Sequence, residues 1–276
     1  MGLLDRRVAI VTGAARGQGR SHALALASEG ATVVVTDIGT SIDAVPYPLG
    51  TKEDLDETVA LVEKAGSTGL ALLADIRDSA QVDAVVNRVV EQFGHVDILV
   101  ANAAVCVMSP FEQMTDELWN AHIDTNLTGT FHCLRAVLPP MRAQGYGRVV
   151  AIASGAGRSP IPTLANYTAS KWGVIGLVKT LALETAGSGI TANVVSPSTV
   201  RTPMVVNEHS LRQFRSDLHE PTEEDLIPRL AAMSPMGIPW LEAETVSRAV
   251  MYLVLDDGFT TGTVLEVNLG TSANRP

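Results

Sequence analysis

The chain is poor in cysteine and in positive charge, and it has no long apolar run. Two cysteines among 276 residues, Cys106 and Cys133, cannot build a disulfide framework and fit a reducing compartment. Twenty Lys and Arg stand against thirty Asp and Glu, a formal net charge of -10. That balance speaks against non-specific nucleic-acid binding and against docking on anionic lipid, since both need a basic surface. Nowhere do the roughly 20 apolar residues of a membrane span occur together. The apolar stretch after Arg6-Arg7 ends at Val11, too short for a secretory leader, and Arg6 breaks a myristoylation signal at Gly2. A soluble cytoplasmic protein is expected. His22, His95, His122, His132, His209 and His219 show no metal-ligand spacing with one another or with the cysteines, so no metal is expected. Ser154-Gly155 lacks the Gly-x-Ser-x-Gly elbow of a hydrolase.

What is present is a composition for a sizeable core: 46% hydrophobic and 18% charged residues exclude disorder as the main state. Short, β-branched, nearly continuous apolar runs at 8–11, 32–36, 71–74, 98–101, 148–153, 191–195 and 264–267 read as strands covered on both faces. They alternate with helix-length segments at 21–28, 55–65, 80–93, 118–138, 167–186 and 242–255. The alternation predicts an α/β fold, a doubly wound parallel sheet of seven strands in one domain spanning 1–276. Two stretches interrupt it. One is 39–54, with Pro46-Tyr47-Pro48 and Gly50; the other is 204–240, with Pro221, Pro228, Pro235 and Pro239. Excursions this long read as an insertion and a helical substrate lid, with solvated loops as an even alternative.

The first strand runs through Thr12-Gly13-Ala14-Ala15-Arg16-Gly17-Gln18-Gly19 into a helix. Gly13 permits a tight turn, Gly17 lets backbone approach a pyrophosphate, and Gly19 allows helix and strand to pack closely. The helix N-terminus offers free N–H groups and the positive end of its dipole to phosphates. Asp37, followed by Ile38, ends the second strand eighteen residues after Gly19, where a carboxylate accepts from both ribose hydroxyls and repels a 2′-phosphate. NAD is therefore favoured over NADP, with Arg16 as the counter-argument: it is either a partner for that phosphate or a solvated loop residue. Asp75-Ile76 and Asn102-Ala103 end the third and fourth strands and line the same crevice. Asp75 can serve as a helix cap and also reach an adenine ring.

Ser154 closes the fifth strand, and Tyr167 and Lys171 lie four apart at the start of a helix, on one face. A phenol titrates at about 10, so it is a poor base at neutral pH unless neighbouring positive charge favours the phenolate. Lys171 supplies such a charge. The placement after Ser154, in a chain with a dinucleotide-binding fingerprint, favours a catalytic reading over a surface pair.

Together with Asn126, Pro197 and Thr202-Pro203-Met204, these segments resemble the short-chain dehydrogenase/reductase family over essentially the whole chain. The resemblance implies a Rossmann fold, Tyr167 as acid–base, Ser154 orienting the substrate oxygen, and Lys171 binding the nicotinamide ribose. It also implies that Asn126 holds a proton-relay water and that Val200 and Thr202 contact the nicotinamide carboxamide. Ala104, Ser198 and Asn268-Leu269-Gly270 depart from the family's usual glycines and put local backbone geometry in question. Val45-Pro46-Tyr47-Pro48-Leu49, Glu53-Asp54-Leu55 and Asn207-Glu208 are similar to the mycofactocin-coupled, carveol-dehydrogenase-like group. That implies non-exchanging NAD under the insertion, mycofactocin as electron acceptor, and a homotetramer built on helices 118–138 and 167–186. It implies a small apolar secondary alcohol or ketone of terpenoid type as substrate. Met108, Met204, Phe214 and Trp240 are candidate pocket walls. Cys106, Cys133 and Trp172 read as packing residues, and packing is the favoured reading of Trp240 too. The alternatives are a conventional carbonyl, 3-oxoacyl or steroid reductase with exchangeable NAD(P)H, and a non-catalytic NAD-responsive binding module.

Overall fold

A computed structural model describes residues 2–273. Seven parallel strands form one sheet: β1 (Val8–Thr12), β2 (Thr32–Asp37), β3 (Gly69–Leu73), β4 (Ile98–Ala101), β5 (Gly147–Ile152), β6 (Ile190–Pro197) and β7 (Val264–Val267). Their order is β3-β2-β1-β4-β5-β6-β7, as expected for a doubly wound sheet. Every residue of β1, β4, β5 and β6 is buried. Alternate side chains feed two apolar layers. Val8, Ile10, Leu99 and Val149 join one layer, and Ala9, Val11, Ile98 and Val150 the other.

The first layer is closed by α3 (Ser79–Phe93), α5 (Thr130–Gln144) and α6 (Ala165–Glu184). The second is closed by α1 (Gly17–Ser28), α2 (Lys52–Lys64) and α9 (Ala243–Val254). In α3 the buried residues Val82, Val85, Val86 and Val89 follow helical spacing. Valine lowers helix propensity by at most about 0.7 kcal/mol, whereas burying its side chain gains about 1.5–3 kcal/mol. Burial decides. Asp78 caps the start of α3 by accepting from the Ala80 N–H, and left-handed Gly94 ends it.

Most boundaries shift by a few residues, and three of the differences have a readable cause or consequence. The strand expected at 71–74 runs from Gly69 to Leu73. Helix α2 starts at Lys52 because Thr51 and Asp54 form a reciprocal capping box, so the end of the expected insertion 39–54 belongs to this helix. The helix expected over 118–138 is divided into α4 (Asp116–His122), a π-helical stretch (Ile123–Gly129) and α5. Helix α5 continues through Pro139 and Pro140, near its C-terminal end, where Pro139 is exposed and solvent can reach the carbonyls left unpaired. The stretch 204–240 contains α7 (Glu208–Phe214) and α8 (Glu223–Ala232), the latter burying Leu226 and Leu230.

At the junction of α1 and α9, fully buried His22 pairs through Nδ1 with the Ser247 hydroxyl at 2.8 Å. Its Nε2 has no hydrogen-bond partner among the described residues, and burial pushes its pKa down to about 3 from 6.5. The fold therefore holds the ring neutral, while the unfolded chain takes up a proton. This contribution to stability is complete above pH 6.5 and declines as pH falls towards 3. The expected slope is at most about 1.4 kcal/mol per pH unit. Unfolding midpoints measured between neutral and acid pH check it. His22→Asn, which keeps a nitrogen near the Nδ1 position, should show a shallower fall than wild type; equal slopes would place the acid sensitivity elsewhere.

Candidate active site

The strand order reverses between β1 and β4, and a crevice opens at their C-terminal ends, as in other open parallel sheets. A cavity of about 610 Å³ occupies it. Its lining includes Gly13, Arg16, Gly17, Gln18, Gly19, Asp37, Ile38, Asp75, Ile76, Asn102, Ala103, Ser154, Tyr167, Lys171, Pro197, Val200 and Thr202. Of the residues expected at the site, only Asn126 is not part of the lining.

At one end, Gly13 adopts the left-handed backbone conformation (φ +64°), and a Cβ there would stand 2.7 Å from Ala103 Cα. A Cβ on Gly19 would meet the Gly13 carbonyl oxygen at 2.0 Å, so only glycine lets α1 approach the β1 turn. Helix α1 begins without a side-chain cap or an acidic residue in its first turn, and Gln18 Oε1 is buried without a partner among the described residues. These features form an anion cradle with polar atoms to spare. Asp37 accepts from Ala15 N–H at 3.1 Å and from Ile38 N–H at 2.9 Å. That leaves about two of a carboxylate's four acceptor positions free. Burial raises its pKa, against those two bonds and the nearby Arg16 charge.

Arg16 is partly exposed, and its guanidinium donates to the Pro48 carbonyl of the insertion. Asp75 does not cap α3, a role Asp78 takes; its carboxylate holds Arg77 at 2.6–3.0 Å. Asn102 donates to the carbonyls of Thr12 and Gly13 at 2.9 and 3.1 Å, which fixes β4 against the glycine turn.

At the other end, β5 delivers Ser154 and the first turn of α6 delivers Tyr167. The Ser154 and Tyr167 hydroxyls are hydrogen-bonded. Lys171, one helical turn on, is buried and donates from Nζ to the Ile152 carbonyl at 2.8 Å, with Nζ 5.6 Å from the centre of the Tyr167 ring. Burial pushes the lysine down to about 8. It pushes the Tyr167 phenol above its ordinary range, opposed by the Ser154 bond. The expected lowering of the phenol by Lys171 is thus outweighed here by desolvation.

Asn126 is fully buried in the π-helical stretch. Its side chain accepts from Val105 N–H at 2.8 Å and donates to the Val105 carbonyl at 2.9 Å. It faces the segment after β4. Met108, Met204 and Phe214 line the cavity as expected, but Trp240 does not; its ring lies 6.0 Å from the Arg201 guanidinium. Trp172 is 52% exposed rather than packed within the chain, whereas Cys133 is buried in the core. Leu269, standing where the family pattern has glycine, adopts a left-handed backbone (φ 55°) and lines the cavity. Tyr47 and Cys106 also line it; the Pro-Tyr-Pro motif marks Tyr47, but nothing local pairs it with Cys106, which it meets across 59 residues of chain.

The sequence profile of the short chain dehydrogenases matches residues 7–212. The chain is 39% identical to a (-)-trans-carveol dehydrogenase of Rhodococcus erythropolis over 99% of both chains. It is 41% identical to an uncharacterized NAD-dependent oxidoreductase of Mycobacterium tuberculosis, over 98% of this chain and 97% of that one. The crystal structure of a carveol dehydrogenase from Mycobacterium avium in complex with NAD superposes with a TM-score of 0.96 at 38% identity, covering 99% of this chain and 100% of the other. With a dinucleotide-type crevice, a Ser-Tyr-Lys constellation and whole-length relatives of this kind, the chain belongs to the short chain dehydrogenase family of oxidoreductases.

Proposed function

We propose that this protein is an NAD-dependent dehydrogenase of small apolar secondary alcohols, with terpenoid-like cyclic alcohols and their ketones as the substrate class. The observation that carries the reading is one cavity with two chemically different ends. Asp37 and the glycine loop stand at one, and Ser154, Tyr167 and Lys171 at the other. The uncapped start of α1, the free acceptor positions of Asp37 and the close approach at Gly13 and Gly19 fit a dinucleotide. The apolar walls Met108, Ile161, Leu164, Met204 and Phe214 suit an alcohol without charge. Helices α7 and α8, with Phe214 and Leu230 against the cavity, serve as its lid.

In this reading NAD, when bound, supplies the hydride acceptor and a positive charge near the phenol. The protein's residues orient the alcohol and manage its proton. The Ser154 hydroxyl fixes the substrate oxygen beside Tyr167, and the Tyr167 oxygen takes the hydroxyl proton or, in the reverse direction, gives it back. Lys171, lowered to about 8 by burial, supports the phenolate when protonated, while its Nζ is held by donating to the Ile152 carbonyl. Asn126 holds the Val105 segment and, through the π-helical stretch, positions the relay of protons to solvent.

The insertion supports an NAD that is retained. Arg16 ties the glycine loop to Pro48, and Gly50 packs against Ala15 and Asp37, so the adenosine end is strapped from above. A retained cofactor needs an external electron acceptor, for which mycofactocin is the candidate by family likeness. Exposed Trp119, Phe131, Trp172 and Leu183 on α4, α5 and α6 support a homotetramer built on those helices.

Denaturing the purified protein and assaying the supernatant should release NAD in near-stoichiometric amount. Protein stripped of its dinucleotide by gel filtration alone would favour the exchangeable-cofactor alternative. In single-turnover reduction of bound NAD by cyclic secondary alcohols, Tyr167→Phe should slow NADH formation by roughly 10²–10⁴-fold; equal rates would remove Tyr167 from the chemistry. Sedimentation should show a tetramer that Trp172→Glu dissociates, and an unchanged sedimentation coefficient in that variant would move the interface away from α6.

A further inference from the structure

The segment after β4 forms a wall of the cavity, and side chains set its course. Val105 N–H donates to Asn126 Oδ1 at 2.8 Å, Cys106 N–H to the Tyr47 hydroxyl at 2.9 Å, and Val107 N–H to His122 Nε2 at 2.9 Å. Three successive amides are thus claimed by three side chains. Asn126 and His122 come from the continuous α4 and π-helical stretch. Tyr47 alone comes from the insertion. We propose that Tyr47 is a positioning residue for the alcohol, holding the Cys106 wall in place beside Tyr167 by its hydroxyl.

The ring of Tyr47 is 5% exposed and packs with Ile42, Val45, Val105, Val107 and Ala121 in an apolar cluster separate from the two sheet layers. A phenylalanine would fill that space equally well. The hydroxyl adds a specific partner for an amide that has no strand or helix neighbour to bond, and a buried amide left unpaired is costly. The local sequence delivers this side chain. Tyr47 lies between Pro46 and Pro48, which fix φ on both sides and confine Tyr47 itself to extended backbone. Neither proline has an N–H, so the Tyr47 amide is the one backbone donor in this Pro-Tyr-Pro arch.

Cys106 itself lines the cavity close to Tyr167 and Lys171, and Met108 follows it on the same wall. Displacing this wall alters the space open to the alcohol beside the phenol. Pro48, the next residue after Tyr47, accepts from Arg16 at the dinucleotide end. The insertion therefore grips both ends of the cavity through adjacent residues. This positioning role rests on the alcohol-dehydrogenase reading, so its test includes a readout that needs no turnover.

The experiment compares wild type, Tyr47→Phe and Val45→Ala as full-length proteins. Val45→Ala loosens the same apolar cluster but leaves the hydroxyl in place. Iodoacetamide labelling of Cys106, mapped by peptide mass spectrometry, reads the wall; core-buried Cys133 reports general loosening. Desolvation raises both thiols, core-buried Cys133 and half-buried Cys106, and the wild-type rates are the baseline for each variant. Tyr47→Phe is expected to speed labelling of Cys106 about tenfold, leave Cys133 unchanged, and raise KM for a bulky cyclic alcohol about tenfold with a smaller change in kcat. Val45→Ala should change the Cys106 rate far less. Unchanged Cys106 labelling in Tyr47→Phe, equal acceleration at both cysteines, equal acceleration in Val45→Ala, or faster labelling with an unmoved KM would each overturn the proposal. If no alcohol is turned over by the wild type, the proposed function fails, while the labelling contrast still decides whether the hydroxyl holds the wall.

Discussion

A parallel sheet covered by helices on both faces has no room for polar chemistry except at its strand ends. Here β1, β4, β5 and β6 are buried along their whole length, and their apolar side chains are committed to the two layers. The crevice at the C-terminal ends of β1 and β4 inherits what the strands cannot hold: the glycine turn, Asp37 and Asn102 on one side, Ser154 on the other. Each of these stands at or just past a strand terminus. The site is thus a consequence of the burial that stabilises the fold, and moving any of these groups one residue back along its strand would turn it into the core.

The Tyr167–Lys171 pair illustrates how burial and charge compete in such a crevice. Desolvation disfavours the charged form of both groups, moving the amine down and the phenol up. Each shift favours the neutral form and widens the gap between the two groups, so separating charge between the amine and the phenol is disfavoured. The Ile152 carbonyl holds the amine in place whether or not it carries its extra proton, because both forms can donate. Ser154 is the group whose bond favours the phenolate. The charge balance of this pair responds strongly to any further positive charge entering a space of low dielectric.

Features set by short-range spacing were legible in the sequence. The glycine loop, Asp37 at a strand end and the four-residue step from Tyr167 to Lys171 each define geometry within a few residues, and all of them line one cavity. The division of the long helix by a π-helical stretch was not legible, since Asn126 reaches the Val105 backbone only once β4 and α4 have packed. The start of α2 is available in the sequence, as Thr51 and Asp54 have the spacing of a capping box that begins the helix inside the proline-rich stretch. Arg16 could be weighed only as a phosphate ligand or a solvated residue. Its actual partner is a backbone carbonyl that carries no sequence signature. Trp240 is a candidate pocket wall with packing the favoured reading, and its ring lies outside the cavity, 6.0 Å from the Arg201 guanidinium.

The same limit explains why the insertion reads as a cover for the adenosine end alone when it is seen only in sequence. Its position after Asp37 fixes where it begins, while the burial of Ile42, Val45 and Tyr47 against Val105 and Val107 fixes where it reaches. Between Tyr47 and Pro48 the chain changes from contacting the alcohol end to contacting the glycine loop. Two residues joined by one peptide bond, with proline on either side of the first, cannot open independently over any large distance. Any opening of the strap that frees the dinucleotide end must also disturb the Cys106 wall, and by reciprocity an occupant that steadies this wall also opposes loss of the dinucleotide. The two ends of the cavity are coupled through one short, stiff piece of chain.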